Sequence, residues 1–517
     1  MNTTADQEEN FRAPEDKRDE ILEKLRGASE ERKDAESEGQ KTKQADRLVA
    51  LAADTEFFHT PEGKPFVSLP VKEHREVHPL RGKMFRSLLQ KRFYDSQGKT
   101  AGGQAVDDAL GVLEGKALHD GLEEPIFVRV AGAEDKIYLD MGDADWQAVE
   151  ISPSGWDVIS NPPVRFWRPA GMQPLPIPDA NGSIEELRYF LNVQKNDADF
   201  HLHVGWLVQA LRPTGPYPVL ILHGEQGSAK STTSRLLAAL VDPHSAPLRS
   251  EPREVRDLMI TASRSWVLAF DNLSRLRDYA SDALCCLSTG GGFSARKLYS
   301  DDDEVTFNAT RPIILNSIEE VARRADLLDR ALIVNLPRIE PKGRKTEAEL
   351  WSAFEKARPR ILGALLGAVS HGLRELPRTR IEDPPRLADF AMWVEAAQGA
   401  FGWERGTFLK AYCEARKSAD DLALDCAVGE AILHKLNGTG FTGTATALLA
   451  KLGNLAGEEF TRREDWPKTP PAFGGLLTRL APHLRSLGYV VEHGKGRERR
   501  KITIEPPKQP EETGGVT

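Results

Sequence analysis

The stretch LILHGEQGSAKSTTSR, Leu220 to Arg235, decides how this chain is read. Its first residues are apolar and suit a buried strand. Gly224 and Gly227 then allow a tight turn without side chains in the way. Lys-Ser-Thr follows and opens an apolar helical pattern, RLLAALV. Strand, glycine turn and helix N-terminus together make an anion cradle, because backbone N–H groups and the helix dipole converge on one point. The spacing approaches the phosphate-loop pattern, in which residues Gly224, Glu225, Gln226, Gly227, Ser228, Ala229, Lys230, Ser231 and Thr232 would surround the phosphates of ATP. Lys230 would reach the outer phosphates and Ser231 would ligate Mg²⁺. Ala229 departs from the pattern, which has glycine at that place; a left-handed backbone there would cost about 1–2 kcal/mol.

Three further positions extend the reading downstream. SWVLAFDNLS is an apolar strand that ends in Asp271, an acid suited to hold the shell of a Mg²⁺ ion beside the loop. Asn272 follows where a second acid usually polarises the attacking water, so the catalytic base is sought in Glu251, Glu254 or Asp257. RPIILNSIEE is another apolar strand, ending in Asn316, which suits orientation of water or a γ-phosphate. In RRADLLDRALIVNLP, Arg330 precedes one more strand and is placed to reach a neighbouring subunit's γ-phosphate, with Arg323 and Arg324 as alternatives.

The ordered set Lys230–Ser231, Asp271, Asn316, Arg330 resembles the superfamily-three helicases and the phage and plasmid primase–helicases, an AAA+-like group. The likeness is strongest over about residues 215–340. It implies an α/β fold: a P-loop NTPase core of AAA+-like, superfamily-three type, with a helical lid. It also implies a ring, most often a hexamer, that uses ATP and Mg²⁺ to move on single-stranded DNA. By the same resemblance LCCLSTGGGFSARKLYSDDDEVTFNATRPIILN corresponds to the region whose hairpin enters the ring pore, and Arg296 and Lys297 are carried over as single-strand contacts. Before residue 200 no strand offers paired carboxylates with partners as a primase–polymerase needs; YLDMGDAD reads as a hairpin turn. The expectation is a helicase without its own primase, working beside a separate primase or polymerase in the replication of a phage, plasmid or integrated element. An ATP-dependent loader or initiator, and a DNA-binding protein that holds ATP without turning it over, remain alternatives.

The flanks give the rest of the organisation. Residues 1–45 are charged and poor in apolar residues, a solvated tail. Residues 46–175 mix helical segments with short strands and read as an N-terminal α+β domain. The core is placed at 183–340 with its preceding helical segment, and a helical region at 341–422. Over 423–505, three helix candidates precede YVVEHGKGRERRKITIEP, a hairpin; together they read as a winged helix. Lys495, Arg497, Arg499, Arg500 and Lys501 concentrate charge on the wing for duplex phosphates, and Arg479 and Arg485 lie on the third helix. Residues 506–517 read as a disordered tail.

Composition bounds these readings. The 517 residues carry a net charge of −9, which disfavours whole-surface attraction to nucleic acid but leaves local basic patches open. No apolar run approaches the ~20 residues of a membrane span, and no membrane partner is expected. Four cysteines form neither a disulfide framework nor a zinc pattern, and Cys285–Cys286 reads as a helix face. The expected location is the cytoplasm of a prokaryotic or phage-infected cell.

Overall fold

The computed structural model describes residues 44–193, 197–273, 276–291, 293–296, 304–307, 309–317, 325–340, 342, 345–436, 439–494 and 501–507. The chain divides into two compact units, Met1–Ile126 and Phe127–Thr517.

In the first unit, strands Glu56–His59, Pro65–Val71 and His74–Pro79 form an antiparallel sheet that a short strand, Leu122–Glu123, extends in parallel. Helices Lys83–Gln97 and Gly103–His119 bury Phe85, Leu89, Phe93, Val106, Leu110 and Leu113 in a shared core with strand residues Val67 and Leu69. The apolar spacing i, i+4, i+8 of Phe85, Leu89 and Phe93 is the helical stripe legible in MFRSLLQKRFY. The helix expected over QADRLVALAADTEFF ends near Ala50, and Glu56 begins the first strand; the other two long strands follow from Pro65 and His74, where no element is expected.

The second unit opens with an antiparallel meander of four strands, Val130–Ala133, Lys136–Asp140, Ala148–Ser152 and Gly155–Ile159. The compact boundary thus falls inside the stretch read as one domain, 46–175. The physical reason is packing: Val130, Leu139, Val149 and Ile151 share a core with the helices after residue 183. A buried guanidinium pins the meander to the same body. Arg129 is fully buried, and its Nε donates to Asp242 Oδ1 at 3.0 Å, just past the helix that follows the glycine turn. Asp242 Oδ2 accepts the Trp266 and Val267 amides, so no charge there lacks a partner. The YLDMGDAD segment is the expected turn, between strands ending at Asp140 and starting at Ala148.

The centre of this unit is a four-stranded parallel sheet. Its order is Leu268–Leu273, Ile313–Ser317, Val219–His223, Ala331–Asn335. Period-2 alternation sends Leu220, Leu222, Ile314, Leu332 and Val334 to one core, and Val219, Ile221, Ile313, Leu315 and Ile333 to another. Helices Asp197–Ala210, Lys230–Val241 and Glu347–Glu375 cover the first face; Val255–Arg264 and Asp278–Thr289 cover the second. Burial on both faces is why these strands read as unbroken apolar runs. Arg249 adds a single parallel bridge beside Phe270, the rudiment of a fifth strand.

Residues 427–507 form a small body with its own core. Helices Ala445–Ala456 and Pro470–Ser486 pack with a three-stranded antiparallel sheet, Phe441–Thr444, Lys501–Glu505 and Val490–His493, with Lys501–Glu505 in the middle. Thr469 accepts the Ala472 amide with Pro470 in the first turn, as the sequence order Thr-Pro predicts. The strand Phe441–Thr444 was not anticipated. Among the described residues no helix is long and apolar enough to cross a membrane.

Candidate functional site

In a parallel sheet all strand C-termini share one edge, and there the chain gathers its polar residues. The Val219–His223 strand releases the loop at Gly224, whose close approach to Leu336 O leaves no room for a Cβ. Gly227 has φ +83. Ala229 has φ 66 and ψ 24, a left-handed residue at the mouth of the helix, and its carbonyl accepts the Thr233 amide at 2.8 Å. The departure in sequence is therefore a real strain of about 1–2 kcal/mol rather than a change of conformation. Ser228 is buried, and its carbonyl accepts from Asn192 Nδ2 at 3.1 Å. The same amide donates to Pro337 O at 2.5 Å, so one side chain ties the loop to the segment after the edge strand. The Ile339 amide donates to Gly227 O at 3.1 Å and closes the same contact.

Lys230 bends back over this loop. Its ammonium donates to Gly224 O at 2.6 Å and Glu225 O at 2.8 Å. Partial burial lowers its pKa, against the pull of the Asp271 carboxylate. An anion in the cradle would compete for these Nζ protons. Ser231 Oγ donates to Asp271 Oδ1 at 3.0 Å, and Asn316 Nδ2 donates to the same oxygen at 2.9 Å. Asn316 is fully buried, and its Oδ1 accepts from Ser234 Oγ at 2.6 Å. Lys230, Ser231, Asp271 and Asn316 thus stand together, as their sequence order implied. A hydroxyl and a carboxylate facing each other at 3.0 Å are hard oxygen donors of the kind Mg²⁺ takes, so the residues fit that ion.

Asn272 has φ 56 at an irregular step in strand pairing between Phe270 and Leu273. Asparagine tolerates that conformation better than most residues. Of the acids considered as base, Glu251 follows the Arg249 bridge beside Phe270 by two residues. Its Oε1 accepts the Arg277 amide at 3.2 Å. Glu254 and Asp257 lie farther on, at the start of the helix Val255–Arg264.

Arg330 sits elsewhere. It precedes the edge strand Ala331–Asn335, and its carbonyl accepts the Val219 amide at 2.9 Å. That is the opposite end of the sheet from Gly224, about 17 Å away at ~3.3 Å per strand residue. Arg330 Nη1 donates to Asp326 O at 2.7 Å. Within its own chain it does not join the Lys230 cluster. Arg296 ends the hairpin strand Phe293–Arg296, opposite Glu304. Arg479, Arg485 and Lys501 are exposed on the C-terminal body, and the Arg485 guanidinium also donates to Val491 O at 2.6 Å. Lys297, Arg323, Arg324, Lys495, Arg497, Arg499 and Arg500, and both terminal tails apart from a few bordering residues, lie outside the described residues. Cys285 is buried and Cys286 half-buried on one helix, as expected.

Sequence reading missed a cavity of about 1110 Å³ beside the loop. Gly227, Ala229 and Thr232 form one wall; Tyr189, Phe190, Asn192, Arg338 and Lys345 contribute others. Lys345 Nζ lies 3.3 Å from the Tyr189 ring centroid, a cation–π contact. The volume slightly exceeds the usual range for small-ligand sites. The only advance signal was the aromatic pair in RYFLNV, which also suits a plain core helix.

Fold and site together define a three-layer α/β protein with an anion cradle at the C-terminal edge of a parallel sheet. Comparison supplies the role. Residues 184–425 match the model of the actinomycete integrative conjugative element replication protein, and residues 428–513 that of the AICE RepA C-terminal domain. Over these two consecutive segments, well over half its length, the chain belongs to that family of element-borne replication proteins. No curated protein matches. Among solved structures, the apo A form of the NrS-1 C-terminal region aligns at 12% identity and TM-score 0.40, covering 89% of this chain and 98% of that one. A further apo structure of the same region aligns at TM-score 0.38, again at 12% identity and with the same coverage.

Proposed function

We propose that this replication protein is an ATP-dependent DNA helicase or translocase built as a ring. The observation that carries the reading is the convergence of Ser231, Asp271 and Asn316 on one hydrogen-bonded network beside Lys230. In this reading the core is a phosphate-loop NTPase of superfamily-three type and the C-terminal body a winged helix. The loop amides and Lys230 hold the triphosphate of ATP. Ser231 and Asp271 hold Mg²⁺, which neutralises phosphate charge when bound. Asn316 orients the γ-phosphate or the attacking water, and Glu251 accepts the water's proton. The cavity beside Gly227 receives the nucleoside. Arg330, too far from its own loop to serve it, reaches the loop of the next subunit; a head-to-tail ring gives every finger a loop. Six subunits is the number the superfamily-three resemblance implies. Arg296 and Lys297 contact single-stranded DNA, Arg479 and Lys501 duplex phosphates, and a separate primase or polymerase works alongside.

Strand displacement on forked DNA, read with phosphate release, tests this. The reading expects unwinding that needs Lys230 and Arg330, and release stimulated by single-stranded DNA. A second reading, a loader or initiator that remodels DNA without unwinding it, is favoured by Asn272 at the place of the usual second acid. Phosphate release without displacement would select it. Release no faster than that of Lys230→Ala would leave only a nucleotide-holding DNA-binding protein.

A further inference from the structure

The turn that presents Arg330 is gripped from outside the sheet. Asp329, beside it, is almost entirely buried at 7% exposure, and its carboxylate meets two arginines. Arg416 Nη2 donates to Asp329 Oδ1 at 2.6 Å, and Arg386 Nη1 pairs with Oδ2. Arg416 Nη1 also donates to Leu328 O at 3.2 Å. Two hydrogen bonds from one planar guanidinium, one to a side chain and one to the adjacent carbonyl, fix a turn in orientation as well as position. Arg416 lies on the helix Thr407–Leu424, whose residues Ala411, Glu414 and Ala415 line the cavity beside the phosphate loop. One helix therefore touches both the cavity and the root of Arg330.

We propose that Arg416 is a positioning residue for the arginine finger: it acts through Asp329 and Leu328 to hold Arg330 in the attitude that serves the neighbouring subunit. The inference rests on the ring-ATPase reading given above. It makes a directional claim. Loss of Arg416 spares the subunit's own loop and disables the site formed with the next subunit. A purely structural role would not have that direction.

The experiment uses the full-length protein with magnesium, ATP and single-stranded DNA. Arg416→Gln is expected to lower turnover at least tenfold while the affinity for a fluorescent ATP analogue stays within about threefold of wild type, the pattern of a group that acts in the transition state alone. Arg416→Lys keeps the ion pair with Asp329 but loses the second contact, and is expected to fall between the two. Arg416→Gln is then mixed with Lys230→Ala in equal amounts. In random rings about a quarter of interfaces unite an intact loop with an intact finger, so activity returns well above the sum of the separate variants. Wild-type turnover in Arg416→Gln, loss of analogue binding in step with turnover, or no recovery on mixing overturns the inference while wild-type hydrolysis leaves the ATPase reading standing. Wild-type protein without hydrolysis above Lys230→Ala overturns the ATPase reading, and the inference with it.

Discussion

Replacing Ala229 with glycine isolates the strain in the phosphate loop. Ala229 holds φ 66 and ψ 24, where its Cβ crowds the following carbonyl. Relief of that crowding is worth about 1–2 kcal/mol, and glycine gives back about 0.5–1 kcal/mol through its greater freedom in the unfolded chain. The net expectation is a gain of about 0.5–1 kcal/mol in the stability of the second unit. In calorimetry that is an upward shift of the melting transition by about 1 °C, smaller than in a short domain because the transition is large. The contacts around the residue are unaffected: the Thr233 amide still meets the carbonyl of residue 229, and Lys230 still folds over Gly224 and Glu225. ATP affinity is accordingly expected to change by less than a few-fold. A lower melting temperature for Ala229→Gly would mean that the methyl makes a favourable contact outweighing the strain, and would refute the reasoning.

Three further outcomes follow from individual contacts. Glu251→Gln should cut hydrolysis by about 10²-fold or more with ATP binding retained, as expected for a general base, whereas Asn272→Ala should change it little; phosphate-release rates of the two variants check this. Gly363→Ala should destabilise the second unit by about 1–3 kcal/mol in thermal or urea unfolding, because a Cβ there overlaps Asp179 O. Alanine is otherwise the better helix former, so the sign of that effect tests the close approach itself. His203 is fully buried, donates from Nδ1 to Asp199 O at 2.7 Å, and burial lowers its pKa to about 4. Because that value lies below the unfolded pKa of about 6.5, the unfolded chain binds the proton first. Stability from this group is complete above pH 6.5 and lost as pH falls toward 4. Between pH 7 and pH 5 the wild type should lose about 2 kcal/mol more than His203→Leu in parallel denaturant titrations.

Some of the molecule is legible in the sequence for a simple reason. Asp271 and Asn316 stand at the ends of apolar runs, and a parallel sheet brings such ends to one edge whatever surrounds them. The glycine turn and Lys-Ser pair fall between a strand and a helix that periodicity alone identifies. The remainder depends on partners distant in sequence. Tyr189 and Phe190 read as ordinary apolar positions, and only the fold turns them toward the loop. Asp329 reads as a surface acid until Arg386 and Arg416 arrive from the helical region. The boundary at residue 126 was hidden because short strands look alike on both sides of it, and only the shared core of Val130, Leu139, Val149 and Ile151, with Arg129 reaching Asp242, assigns the later ones to the second unit.

The central claim is that the cradle at residues 224–231 holds a magnesium–triphosphate, and calorimetric titration of the full-length chain with ATP tests it most directly. The account predicts saturable binding that weakens at least tenfold when Mg²⁺ is withheld or Ser231 is changed to alanine, and that disappears in Lys230→Ala. Binding of equal strength in wild type and Lys230→Ala, or no binding in either, would contradict it.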